Sequence, residues 1–227
     1  MKETVDIRLL GVCGSPIRGG NTEAFLNEAL KTAERLDGVI TTSILLAEKQ
    51  IADCRHCNWC IAKQEKERFC VVQDDMLGIY PRIIEADALL LATPTYAGRL
   101  SGYMATFLDR FRALVLGKHY RRVLDGKVGG AMTVAWLRNA GPETTLLSIV
   151  SAYLMWGMVV VSPGENSCQF GAVGLSSADG TGRFDSKDRL GVLKDGVGMS
   201  SARALSGRMV EMTRTLKSGR QSLGKSQ

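Results

Sequence analysis

Residues Leu9–Thr22, LLGVCGSPIRGGNT, join an apolar run to an amphipathic segment through small and polar residues. The apolar run, Ile7–Val12, predicts a buried strand, and Glu23–Leu36 predicts the helix that follows it. Glycines let backbone N–H groups converge, hydroxyl and amide side chains add donors, and the helix N-terminus adds a partial positive charge. The stretch therefore predicts a strand–loop–helix unit whose loop binds a phosphate group.

The residues of this loop narrow the kind of phosphate. A nucleoside triphosphate loop needs a Lys followed by Ser or Thr after its second glycine, but Gly19 is followed by Gly20 and Asn21. The dinucleotide fingerprint is also missing, because Gly11 and Gly14 do not fall at its spacing. Hydroxyl and amide donors suit a single phosphomonoester, as in flavin mononucleotide (FMN). The alternative is an ordinary Gly/Pro connection between strand and helix.

Length and charge bound the class of protein. The 227 residues suffice for one sizeable α/β domain, and no run of 18 apolar residues or apolar leader is present. We therefore expect a cytoplasmic protein without a membrane partner. The formal net charge is +6, and the residues from Arg203 onward supply most of it. Because this basic end lacks interleaved aromatic residues, it predicts a solvated helix face and argues against nucleic acid as a partner.

Apolar periodicity places the remaining elements of a single domain, 1–227. The further predicted strands are Val39–Leu46, Asp87–Ala92, Lys127–Trp136 and Met158–Ser162. The further predicted helices are Met76–Glu85, Gly102–Leu116, Pro142–Gly157 and about Ser200–Leu216. This alternation predicts an α/β fold with a doubly wound five-stranded parallel sheet. Three segments stand outside it: a cysteine-rich insertion (51–72), an irregular lid or interface segment (163–200) and a flexible tail (217–227).

Three loops are expected at one edge of this sheet. In doubly wound folds, ligands bind outside the carboxyl ends of the strands, near the switch in strand order. The loops Gly14–Thr22, Thr93–Gly98 and Leu137–Gly141 meet that description. Tyr96 offers a flat face to a planar ring, although a tyrosine at the edge of the core is the alternative.

Four of the six cysteines are clustered, at Cys54, Cys57, Cys60 and Cys70. Structural zinc sites usually use two separated C-x2-C pairs, whereas C-x2-C-x2-C with a later Cys is characteristic of iron–sulfur ligation. The pattern favours a [4Fe–4S] cluster over zinc or free thiols. The two other cysteines, Cys13 and Cys168, are interpreted as small apolar fillers.

With these loops placed, the chain resembles the flavodoxin-like NADPH-dependent FMN reductases, and specifically their iron–sulfur flavoprotein branch. The resemblance runs from about Leu9 to about Val161 and implies a flavodoxin-like sheet of order 2-1-3-4-5. The motifs that carry it are Gly14-Ser15-Pro16, Gly20-Asn21-Thr22, the four clustered cysteines, Asp74-Asp75-Met76, Thr93-Pro94-Thr95-Tyr96, Phe107-Leu108-Asp109-Arg110, Arg138-Asn139 through Glu143-Thr144, and Gly157–Val161.

The resemblance also implies the site residues. It implies an FMN site made of Ser15, Asn21 and Thr22 at the phosphate, Pro94, Thr95, Tyr96 and Gly98 along the isoalloxazine ring, and Arg138 and Asn139 on the next loop. The family usually has Arg directly after Ser-Pro, whereas this chain has Ile17 there and Arg18 next, so we expect Arg18 to serve as the charged phosphate contact. The resemblance implies that a [4Fe–4S] cluster is held by Cys54, Cys57, Cys60 and Cys70.

The function expected is that of an FMN-dependent oxidoreductase. It would pass electrons from NAD(P)H or a reduced ferredoxin, through FMN and the cluster, to a small acceptor such as a quinone, a flavin or an oxygen species. The alternatives are an electron-transfer flavoprotein without its own substrate, a plain FMN reductase without a cluster, and a redox or metal sensor. Relatives are dimers or tetramers, so we expect a homodimer or homotetramer with Leu154, Met155 and Trp156 as candidate interface residues.

Overall fold

The computed structural model describes residues 6–164, 170–183 and 187–224. Its strands are β1 (Ile7–Cys13), β2 (Val39–Leu45), β3 (Ala88–Tyr96), β4 (Arg99–Leu100), β5 (Val128–Ala135), β6 (Val159–Val160) and β7 (Ala172–Leu175). Its helices are α1 (Asn21–Glu34), α2 (Trp59–Ala62), α3 (Met76–Glu85), α4 (Gly102–Asp109), α5 (Arg112–Val115), α6 (Pro142–Met155) and α7 (Gly196–Gly224). The short turns Leu46–Glu48, Ala178–Gly180 and Gly191–Lys194 are 3-10 helices.

The sheet has the predicted flavodoxin-like order. Parallel strands run β2-β1-β3-β5, and β6 and β7 both pair with the outer edge of β5. The predicted number of strands was wrong, since the described residues form seven strands instead of five. The fifth position is divided between β6 and β7 because Pro163, which has no N–H to donate, follows β6 closely. The small strand β4 pairs antiparallel with the end of β3.

Helices cover both faces of the sheet, as a buried parallel sheet requires. On one face, Leu9 and Leu90 pack with α1 and α7 around Phe25. On the other face, Leu10 and Leu91 pack with α3, α4, α5 and α6. Alternate residues of β1 and β3 therefore point to opposite cores, and the continuous apolar runs of these strands follow from burial on both sides.

Two predicted elements differ from the structure. The predicted helix Gly102–Leu116 is divided into α4 and α5 by a tight turn, in which Phe111 N–H donates to the carbonyl of Leu108. The predicted irregular segment 163–200 contains β7 and the start of α7. Pairing with the carboxyl half of β5 explains β7, because a four-residue strand has no periodicity that would reveal it.

The predicted tail 217–227 was wrong as far as Gly224, because α7 continues to that residue. Lys217 Nζ lies 2.8 Å from Asp87 Oδ2, and Arg220 Nη2 donates to the carbonyl of Asp125 at 3.3 Å. These contacts fix the end of the helix against the amino edge of the sheet. Residues 225–227 lie outside the described part of the chain.

The candidate interface also needs one correction. Trp156 is buried and stacks on Phe111, with ring centroids 4.1 Å apart, whereas Leu154 and Met155 are 63% and 72% exposed. In the described ranges, no helix combines the length and the apolar character needed to cross a membrane.

Candidate functional site

The first loop leaves β1 and is pressed against the start of α4. Gly14 N–H donates to the carbonyl of Ala92 at 2.7 Å, and the Gly14 carbonyl accepts from Ser101 Oγ at 2.5 Å. A Cβ on Gly14 would lie 2.9 Å from Met104, so the close approach requires glycine here. The loop is therefore held by β3 on one side and α4 on the other.

This loop presents the uncapped N-terminus of α1. Gly20 occupies the N-cap position, and no side chain in the described part of the protein caps the helix. By their position, the first N–H groups of α1 have no acceptor within the helix. Gly19, with φ of +62°, donates its N–H to Glu23 Oε2 at 2.7 Å, so the loop already accommodates one anionic oxygen. The arrangement suits a phosphate group.

The side chains predicted for the phosphate site differ in burial and in hydrogen-bond partners. Ser15 is buried in the loop, where its Oγ accepts from Ile17 N–H at 3.1 Å, and Thr22 is buried in the first turn of α1. Asn21 holds the C-terminal segment, because Nδ2 donates to the Arg189 carbonyl and Oδ1 accepts from Val192 N–H, both at 3.0 Å.

The Arg18 side chain forms an ion pair at the surface. Its Nε lies 3.1 Å from Glu48 Oε1, and the side chain is largely exposed. The structure thus brings Ser15, Asn21 and Thr22 together at the first loop, while Arg18 lies at the rim in an ion pair.

The second predicted loop, Thr93–Gly98, was wrong as a loop, because β3 continues to Tyr96 and turns into β4. Ala97 and Gly98 have φ of +49° and +78°, as a type I′ hairpin turn requires at both central residues. Pro94 pairs in register with Val134 and is buried, and Tyr96 is 44% exposed. The tyrosine ring therefore lies at the surface beside the turn.

Buried hydroxyl groups join the second loop to its neighbours. Thr95 Oγ1 lies 2.9 Å from Thr133 Oγ1 and 3.1 Å from Thr145 Oγ1. Ser101 accepts from Met104 N–H at 3.1 Å as the N-cap of α4 and contacts Thr93 Oγ1 at the same distance. The Thr95 hydroxyl thus links the end of β3 to β5 and α6.

The residues that this network adds to the prediction are Ser101, Thr133 and Thr145. Of these three, only Ser101 could have been identified from the sequence, because a Ser directly before an apolar helical segment is typical of a helix N-cap.

The third loop, 137–141, touches the hairpin turn directly. Gly141 has φ of +93°, and a Cβ there would lie 2.7 Å from both the Cα atom and the carbonyl oxygen of Gly98. Arg138 is held by the C-terminal segment, since its N–H donates to Gly180 O at 2.9 Å and Nη2 donates to Asp179 O at 3.0 Å. Arg138 and Asn139 line a cleft of about 900 Å³ whose other wall is formed by residues of the ranges 173–183 and 188–198.

A buried ion pair fixes the start of the cysteine-rich segment. Arg110 and Asp74 are paired and almost fully buried. Asp74 Oδ2 accepts from Ala52 N–H at 2.9 Å, and Arg110 Nη1 donates to the Ala52 carbonyl at 2.7 Å. Burial alone would raise the pKa of Asp74, but the hydrogen bonds from Arg110, Ala52 and Met76 outweigh it and lower that pKa.

The end of the segment is fixed by a buried amide. Gln64 Nε2 donates to the carbonyls of Phe69 and Ala113 at 3.0 and 2.9 Å, and Oε1 accepts from His119 N–H at 3.0 Å. Phe69 packs between Tyr80 and Tyr120, with ring centroids 4.9 and 4.5 Å away. Both ends of the segment are therefore anchored.

The four clustered cysteines are free thiols in the structure. Burial raises the pKa of Cys60, and the thiols of Cys70, Cys54 and Cys57 act on it in the same direction. No three His, Cys, Asp or Glu side chains of the described ranges are grouped as a metal site. His56 and Asn58 have positive φ, so the chain turns sharply between the cysteines.

Cys13 belongs to the first loop. It is buried at the end of β1, and burial raises the pKa of its thiol to about 11, so the thiol is protonated at neutral pH. This confirms its interpretation as a small apolar residue. Cys168 lies outside the described residues.

Comparison with known proteins places the chain in a family. The sequence model for NADPH-dependent FMN reductase matches residues 7–172. The chain is similar to an iron–sulfur flavoprotein from Methanocaldococcus jannaschii, with 33% identity over 211 residues that cover 93% of this chain and 100% of that protein. It is also similar to an NAD(P)H dehydrogenase (quinone) from Cupriavidus metallidurans, with 39% identity over 100 residues, 44% of this chain and 48% of that protein.

Solved structures agree on the fold. RosB, solved with bound 8-demethyl-8-formylriboflavin-5′-phosphate, has a TM-score of 0.70 at 16% identity, over 97% of this chain and 88% of RosB. The fold, the convergence of the three loops and the matches over most of the sequence agree with one another. The chain belongs to the NADPH-dependent FMN reductase family, in its iron–sulfur flavoprotein branch, and is an oxidoreductase.

Proposed function

We propose that the three converging loops hold FMN and that the protein transfers electrons through it. The observation that carries this proposal is the uncapped N-terminus of α1, which follows a loop bonded to the end of β3 and to Ser101 at the start of α4. Family membership supports FMN as the ligand. When bound, FMN supplies hydride and one-electron chemistry, and the residues of this chain bind and orient it.

The phosphate would be held mainly by backbone groups. Ser15 and Thr22 supply hydroxyls, and Asn21 contributes its backbone N–H, because its side-chain amide is already engaged by the segment 189–192. Arg18 would supply long-range charge from the rim, where Glu48 partly offsets it.

The isoalloxazine ring would lie along the β3–β4 turn, between the second and third loops. Its proposed contacts are Pro94, Thr95, Tyr96, Gly98, Arg138 and Asn139. The contact between Gly141 and Gly98 sets the spacing of these two loops. Because the Thr95 hydroxyl is used inside the protein, we assign Thr95 a backbone contact with the ring.

We propose a [4Fe–4S] cluster on Cys54, Cys57, Cys60 and Cys70. Four thiols within one anchored segment supply the soft donor set that such a cluster needs. The names of the similar iron–sulfur flavoproteins support the same choice. When bound, the cluster would accept or release one electron at a time. The ends of the segment, held by Asp74 and Gln64, orient the thiols.

We propose NAD(P)H or a reduced ferredoxin as the electron donor, and a small acceptor such as a quinone, a flavin or an oxygen species. No acid or base side chain is assigned to this reaction. The described Cys residues are free thiols, which agrees with our proposal of a reducing, cytoplasmic location.

The first test is the visible spectrum of protein purified without oxygen, together with iron and acid-labile sulfide analysis. Flavin bands with four irons per chain support FMN and the cluster together. Flavin without iron refutes the cluster and leaves a plain FMN reductase. A protein that binds no flavin refutes the proposal as a whole.

Stopped-flow mixing then separates an enzyme from an electron-transfer protein. Fast bleaching of the flavin by NAD(P)H supports a reductase with its own substrate. Bleaching only by a reduced ferredoxin supports a protein that relays electrons between partners.

A further inference from the structure

Arg112 carries a buried N–H group that lacks a partner. Its Nε is shielded from solvent and has no hydrogen-bond acceptor among the described residues. The same guanidinium donates through Nη2 to Asn58 Oδ1 at 2.6 Å, so the side chain is held in place. Leaving a charged donor unsatisfied is costly, and such groups therefore point to an acceptor that the protein chain itself does not supply.

The position of Arg112 shows which acceptor that is. Arg112 begins α5, which packs on α2, the helix that contains Cys60. Asn58, the residue that holds the guanidinium, stands between Cys57 and Cys60 in the sequence. The guanidinium is thus held against the segment that carries the four thiols.

The neighbouring cation on the segment is engaged elsewhere. Arg68 lies over the ring of Trp59, 4.9 Å from its centroid, and pairs with Glu65 at 3.8 Å. Arg112, by contrast, is bonded to Asn58, between Cys57 and Cys60 in the sequence.

We propose that Arg112 is a positioning residue that donates its Nε–H to sulfur at the four-cysteine site and raises the reduction potential of the cluster held there. This inference rests on the proposed function. Reduction adds negative charge to the sulfurs, so a positive donor beside them stabilises the reduced form more than the oxidised form. Arg suits this role because its guanidinium stays charged at any physiological pH. Its planar group can also donate one N–H to Asn58 and another to sulfur at the same time.

The test compares three variants by a readout that needs no substrate. Arg112→Met removes the charge and the donor, Arg112→Lys keeps the charge and removes the fork, and Arg121→Met removes an exposed positive charge as the matched control. Each is purified without oxygen, its iron, sulfide and flavin are measured, and the midpoint potential of the cluster is determined by a redox titration followed by electron paramagnetic resonance.

We expect Arg112→Met to lower the stability of the reduced cluster about tenfold, which is about 59 mV for one electron. Arg112→Lys should recover only part of this shift, and Arg121→Met should match the unchanged protein. Equal potentials in Arg112→Met and Arg121→Met overturn the inference, as does full recovery in Arg112→Lys, which would assign the effect to charge alone.

Two further outcomes are informative. Should Arg112→Met fail to retain iron, Arg112→Lys makes the comparison: a lowered potential supports the inference, and an unchanged potential overturns it. If the unchanged protein contains flavin but no iron or sulfide, the proposed cluster itself fails, and the inference fails with it.

Discussion

At the scale of single residues, Gly141 controls the spacing between two loops of the flavin site. Its φ of +93° is strained for any residue with a Cβ, and that Cβ would lie 2.7 Å from Gly98. We expect Gly141→Ala to cost about 1–3 kcal/mol of stability and to weaken FMN binding about tenfold. Denaturant unfolding and flavin titration measure the two effects.

The matched control is Gly207→Ala in α7, where an added Cβ meets no atom within 4 Å. Because this glycine is in a helix, the control should raise stability by about 0.5–1 kcal/mol and leave FMN affinity unchanged. FMN binding by Gly141→Ala as tight as by the control would contradict the role of this contact.

The Asp74–Arg110 pair predicts a dependence of stability on pH. The pKa of Asp74 is lower in the folded protein than in the unfolded chain, so its stabilising effect is present above about pH 4 and is lost as the pH falls through the folded pKa. Asp74→Asn leaves a buried guanidinium without its counter-charge and should cost about 3–5 kcal/mol at pH 7. Urea unfolding between pH 3 and pH 7 measures both effects.

Glu85→Gln provides the comparison for this prediction. Glu85 pairs with Arg8 at 3.7 Å, but both side chains are more than half exposed, so its loss should change stability little. If Asp74→Asn unfolds no more easily than Glu85→Gln, or keeps the same acid dependence as the unchanged protein, the buried pair is not the anchor of the cysteine-rich segment.

At the scale of elements, Ser101 links α4 to the phosphate loop. It caps the helix and donates to the carbonyl of Gly14, so one hydroxyl serves two elements. Ser101→Ala should cost about 1 kcal/mol through the lost cap and should also weaken FMN binding, because the first loop loses its contact with α4. Ser148→Ala, which removes an exposed hydroxyl in α6, should change neither quantity.

Asn21 joins α1 to the segment that precedes α7. Because its amide bonds both Arg189 and Val192, Asn21→Ala should release that segment while leaving the backbone donors of α1 in place. We expect faster amide exchange over 187–195 and an FMN affinity within about threefold of the original. A large loss of affinity without faster exchange would instead assign the side chain directly to the phosphate.

At the scale of the whole molecule, the exposed end of α6 predicts self-association. Leu154 and Met155 are the exposed apolar side chains of the predicted interface, and such neighbouring residues favour contact with a second copy. Leu154→Glu should shift a dimer or tetramer toward monomer in equilibrium sedimentation. Leu223→Glu, at an equally exposed position on α7, should leave the assembly unchanged, and a monomeric parent protein would refute the prediction.

The sequence by itself determined the alternation of strands and helices and the position of the glycine-rich loop after β1, whereas the strand order came from the resemblance to a known family. Apolar runs of strand length, separated by amphipathic segments, indicate a parallel sheet with right-handed connections, but more than one strand order satisfies that pattern. Local chemistry also identified the four clustered cysteines and the glycine-rich turn before α1, because small residues and thiols at short spacing carry their signal within a few positions.

The tertiary structure decided what the side chains of these motifs contact. Thr95 bonds Thr133 and Thr145, Asn21 bonds a segment about 170 residues away, and neither contact has a local signature. The division of the sheet edge into β6 and β7, and the helical course of residues 217–224, likewise depend on partners distant in sequence. Periodicity records which face of an element is buried, whereas the choice of hydrogen-bond partner depends on which elements the fold brings together.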